Sequence, residues 1–183
     1  MRDLYNKMDK SAFALFAAGT INITCAGALK ATYKLLYAAK ICDFEPLNAM
    51  FFPVQSIGFL LAGIGLILTL TRKSTTALAV APPVFSGTFV FVGLMVAGLG
   101  LMDVGLCIIA VQMKKPRLII VFAFSFVCSL CMGYLSSQNF AEAAMNWIAE
   151  GVNVVGQGLF LLGSYLLHKN NLADFQLQGG KQV

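Results

Sequence analysis

The chain has 183 residues, of which 58% are hydrophobic and 11% charged. Soluble domains run at about 45–50% apolar and about 25% charged, so this length gives one domain with too little polar surface to solvate a water-soluble globule. Thirteen basic against eight acidic residues leave a net charge of +5, and Arg72, Lys73, Lys114, Lys115, Arg117 and Lys169 sit at the ends of apolar runs. That placement suits anchoring at an anionic lipid surface. It does not suit a nucleic-acid face, which would interleave bases with exposed aromatics.

A spanning helix needs about 20 mostly apolar residues. In chain order the runs 12–37, 49–70, 84–112, 118–135 and 143–167 qualify, which predicts an all-α integral membrane protein, a bundle of five transmembrane helices with short loops. The bilayer itself is the first partner. A β-barrel would show alternation over about ten residues, which these uniformly apolar runs lack.

Arg2, Lys7 and Lys10 precede the first run, and Ala26-Gly27-Ala28 has the small residues of a signal-peptidase site. Thr20, Asn22 and Thr24 interrupt the would-be apolar core of a signal peptide, so a retained span is expected. In this run Asn22, Lys30 and Lys34 follow at i+4 spacing, with Ala26 between. Lys34 is near the end and should snorkel. Lys30 is deep enough to pair with an acid, and Asp103 and Glu150 are the candidates.

The second run carries Gln55 and Ser56 beside Pro53, which frees a carbonyl and permits a kink. Its residues Val54, Gly58, Leu61, Gly65 and Leu68 align at constant offset with Val152, Gly156, Leu159, Gly163 and Leu166 of the fifth run. Gly58 with Ala62, Ala14 with Ala18, and Gly93, Ala97, Gly98, Gly100 and Gly105 of the third run read as helix-packing positions. The third run starts after Pro82-Pro83, contains the deep acid Asp103 and ends before Lys114-Lys115-Pro116.

Cys128 and Cys131 in the fourth run form a C-x-x-C pair, the one enzyme-like motif. Buried apolar cysteines are usually inert, so a thiol-redox enzyme ranks third among the readings. With one histidine, His168, no metal site and no cofactor is expected.

The strongest signal is in the fifth run. Asn146, Glu150, Asn153 and Gln157 fall at i, i+4, i+7 and i+11, which keeps them on one helix face. An intramembrane carboxylate faces a partner or a wet cavity. The expected function is a small transporter or permease component for a cation, proton or small polar solute. The substrate- or ion-binding candidates are Glu150, Asn146, Asn153, Gln157, Asp103, Lys30, Asn22 and Gln55. The alternative is a non-catalytic membrane subunit or assembly factor of a larger complex. Five helices are few for a complete transporter, which points to a homo-oligomer or hetero-subunit. The location expected is the plasma membrane. Five spans put the two ends on opposite sides. The basic turn at Lys114 to Arg117, set against the Ser136–Glu142 link without a cation, puts the C-terminus in the cytoplasm and the N-terminus outside. The polar tail 170–183 should fray.

Overall fold

The computed structural model describes residues 2–71, 88–135 and 143–178, and every regular element among them is helical. In order these are α1 (Arg2–Tyr5), α2 (Lys10–Ala38), α3 (Glu45–Ala49), α4 (Phe51–Thr71), α5 (Thr88–Gln112), α6 (Arg117–Leu135) and α7 (Ala143–Lys169). Three stretches are long and apolar enough to cross a membrane: Lys10–Ala38, Glu45–Thr71 and Val90–Gln112. A shorter apolar helix covers Arg117–Met132. The expected helix start at Val84, after Pro82-Pro83, and the Ser136–Glu142 link lie outside the described residues.

Pro53 accounts for the joint between α3 and α4 inside the span Glu45–Thr71. It has no N–H to give the carbonyl four residues back, and that carbonyl belongs to Ala49, where α3 ends. The helix resumes as α4 at Phe51, with the Val54 amide bonded to the Met50 carbonyl.

The chain divides into two compact units, residues 10–102 and residues 1–9 with 103–183. In the first, α2 and α4 are antiparallel and meet along small residues. The buried positions Ala12, Phe16, Gly19 and Ala26 of α2 and Gly58, Ala62, Gly65 and Thr69 of α4 step by three, four or seven, the spacing of a coiled-coil seam. A methyl group on Gly65 would come within 2.6 Å of the Ala12 carbonyl, and one on Gly58 within 2.9 Å of Ile23. Ala14 and Ala18, expected as packing positions, are exposed; the seam runs through Gly19 instead. The opposite face of α4 takes the first half of α5. Gly63 abuts Gly98 and Leu101, and the fully buried Ser56 hydroxyl lies 2.5 Å from the Phe52 carbonyl and 2.7 Å from that of Phe91. Ser56 opposite Phe91 and Gly63 opposite Leu101 mean that α4 and α5 run parallel. Thr71 and Thr88 therefore lie at opposite ends of that pair, and residues 72–87, which join them, are outside the described residues.

In the second unit α6 and α7 form an antiparallel hairpin. Gly163 receives the Phe122 ring, and Gly156 receives Cys128 and accepts a 3.0 Å bond at its carbonyl from the Ser125 hydroxyl. Phe122 and Phe160 meet edge to face at 6.2 Å. The glycine pair seven apart that aligns between the second and fifth runs thus does one job in both units. Gly58 and Gly65 admit α2; Gly156 and Gly163 admit α6.

One expectation fails in this unit. The tail does not fray over its described part: Leu172 and Leu177 are buried, and the Gln178 amide and carbonyl bond the side chain of Gln112 at 3.0 and 3.2 Å. Residues 2–9 pack at the end of α7, beside the tail. The Asp3 carboxylate lies 2.6 Å from His168 Nδ1, the Lys7 ammonium donates to the Phe175 carbonyl, and Leu4 and Met8 are buried. Burial of Leu4, Met8, Leu172 and Leu177 takes apolar surface out of contact with polar surroundings.

Candidate functional site

Each polar residue expected inside a span has a definite place. Lys30 is half-buried two-thirds of the way along α2. Its ammonium donates to Asn48 Oδ1 at 2.5 Å and sits 5.2 Å from the centre of the Phe51 ring, a cation–π distance. Asn48 was not legible as its partner, because it lies in the short helix α3, which the apolar pattern does not announce. Beside it Tyr33 donates to Asp43 at 3.2 Å. Lys30 therefore spends its charge near the end of the first unit, at the level of Phe51.

Asn22 is half-buried in α2, and Gln55 in α4 is half-buried with its Oε1 atom enclosed and without a hydrogen-bond partner. Asp103 is the more severe case. It is 4% exposed, and neither carboxylate oxygen has a hydrogen-bond partner. Burying a polar group without compensation costs several kcal/mol at least, and more for a charge (about 2–7 kcal/mol for a neutral amide or hydroxyl). It lies nine residues before Gln112, on the helix that also buries apolar Leu99, Met102 and Leu106, neighbours that offer the carboxylate no hydrogen bond.

The α7 stripe lies beside the hairpin seam. Ala149, Gly156, Phe160, Gly163 and Leu167 make the seam, and at 3.6 residues per turn the stripe is centred about 80° round the helix from it. Glu150 and Asn153 are half-buried and Gln157 is exposed. The side chain of Asn146 is outside those described. Beyond the stripe comes an exposed apolar face of Trp147, Val154, Leu161 and Tyr165. The stripe is thus a polar border between a packed seam and an apolar outer face.

Cys128 and Cys131 are free thiols; Cys128 is half-buried against Gly156 and Cys131 is exposed. Among the described residues no three His, Cys, Asp or Glu side chains are grouped to hold a metal ion. No family model, curated protein or solved structure matches this chain.

Proposed function

We propose that the chain is an integral membrane protein of five spanning helices and works as a component of a transporter for protons or a small cation, with Asp103 as the carrying group. The observation behind this reading is the enclosed, unbonded carboxylate of Asp103 in α5. Acidic side chains in membrane helices are rare and mark ion or proton pathways. A carboxylate with no donor in reach is a group that a proton or small cation would satisfy. Lys30, already engaged by Asn48 and Phe51, is an anchor in this reading. The length of α7 from Trp147 to His168, about 32 Å at helical rise, supports its spanning a core about 30 Å thick.

The test is proton and monovalent-cation flux in proteoliposomes for Asp103→Asn and Asp103→Glu. Asp103→Asn should lower flux at least tenfold while melting at or above the wild-type temperature, since it removes a buried charge. Asp103→Glu should restore part of the flux. Full flux in the Asn variant would sink the reading. The exposed amide of Gln157 between the α6 seam and the apolar face favours a second one, a subunit whose α7 border meets a partner's polar helix. Wild-type flux in Asp103→Asn, together with a cross-link from Gln157→Cys to a neighbouring chain in native membranes, would put that reading first.

A further inference from the structure

The second compact unit is polarised along its length. One end carries Lys7, Lys114, Lys115, Arg117 and Lys169. The fold gathers them: α7 closes against residues 1–9 through Asp3 and His168, the tail crosses to the end of α5 through Gln178 and Gln112, and α6 starts at Arg117 beside the end of α7. Lys114, Lys115, Arg117 and Lys169 are exposed. From Leu118 to His168 the sequence has no lysine or arginine. The far end instead exposes Tyr134 and Trp147, 67% and 79% accessible, the residue types that settle at headgroup level.

Lys114 is held outward by backbone geometry. It sits at φ 57°, with the Lys115 amide bonded to the Ala110 carbonyl at 2.8 Å and its own amide to that of Val111 at 2.9 Å. This is the closing motif of a helix with its left-handed residue just past the end. The turn projects three cations within four residues, and among the described residues none of them has a carboxylate within ion-pair distance. The acids of this end are Asp3, engaged by His168, and the exposed Asp9 and Asp174.

We propose that this end is a docking surface for anionic phospholipid headgroups of the cytoplasmic leaflet. Cations concentrate on the cytoplasmic side of spanning helices, and each near an anionic surface adds attraction that salt weakens. The inference is independent of Asp103.

Two measurements test it. In nanodiscs of phosphatidylglycerol the wild type should melt higher than in phosphatidylcholine, and the gain should shrink with added salt. The triple variant Lys114→Gln, Lys115→Gln, Arg117→Gln should lose most of the gain while melting normally in phosphatidylcholine, because these side chains hold none of the tail's contacts. An equal gain in the variant overturns the proposal. So does the same gain produced in phosphatidylcholine by inorganic phosphate alone, which would mark a small-anion site. In intact cells, with the native cysteines replaced, Asn139→Cys should react with an impermeant maleimide, and Lys115→Cys should react only after permeabilisation. Labelling of Lys115→Cys from outside overturns the cytoplasmic assignment of this end.

Discussion

At the residue scale, backbone conformation and burial oppose the amino acid present at several positions. Lys40, Lys114 and Asn171 all take positive φ, at 55°, 57° and 64°. Each closes its helix with the same pair of backbone bonds, as when the Ile41 amide reaches the Leu36 carbonyl at 3.0 Å and the Leu172 amide reaches that of Leu167 at 3.2 Å. Glycine is the usual residue there because it has no Cβ to strike the following carbonyl. Lysine holds the position at a cost of about 1–2 kcal/mol. Lys40→Gly should therefore raise stability by about 1 kcal/mol, read as an increase in melting temperature in detergent; no increase would show that the Lys40 side chain compensates through contacts of its own. Asp103 carries a larger conflict, an enclosed acid without donors, and conflicts of that kind collect at sites that function maintains against stability.

At the element scale, helix pairs are matched by small residues. Lipid offers helices no hydrophobic drive to associate, so contact depends on close backbone approach. Gly65 of α4 admits the Ala12 and Phe16 backbone, whereas Gly158 of α7 has nothing within 4 Å of where a Cβ would stand. The two glycines should respond oppositely. Gly65→Leu should separate α2 from α4 and cost about 3 kcal/mol or more, in the range of severe overpacking. Gly158→Ala should stabilise by about 0.5–1 kcal/mol through helix propensity. Thermal unfolding of both variants beside wild type checks this, and a silent Gly65→Leu would mean that the α2–α4 seam is looser than its geometry. The aligned glycines of the second and fifth runs belong to the same class: each pair serves the second arm of an antiparallel hairpin.

At the scale of the whole molecule, the N-terminal nine residues and the C-terminal tail complete the second unit. Leu4, Met8, Leu172 and Leu177 are all at or below 6% exposed. Stopping the chain after Lys169 should expose Leu4 and Met8, free Lys7 and Gln112 of their partners, and open residues 2–9 to protease. Limited proteolysis of the truncated and full chains should show cleavage near Lys7 and Lys10 in the first alone. Resistance in both would show that residues 1–9 hold without the tail.

Hydrophobic composition and run length determined, without any structure, that the chain is helical and where α2, α4, α6 and α7 begin and end to within a few residues. Span length is imposed by bilayer thickness, a property outside the protein, so it is written locally in apolar runs. The stripe on α7 was equally legible, because the helical period alone puts Asn146, Glu150, Asn153 and Gln157 on one face. What that face meets was not legible, and the structure made it a border beside the seam. The partners of Lys30, the enclosure of Asp103 and the shared end of the two termini came only from tertiary structure. Each depends on contacts between residues distant in sequence, Asn48 with Lys30 and Asp3 with His168. The parallel course of α4 and α5 is decided in the same way, by Ser56 against Phe91 and Gly63 against Gly98. A hydropathy profile measures the length of each apolar run but carries no sign for its direction, so alternation is its default, and side-chain packing alone chose otherwise.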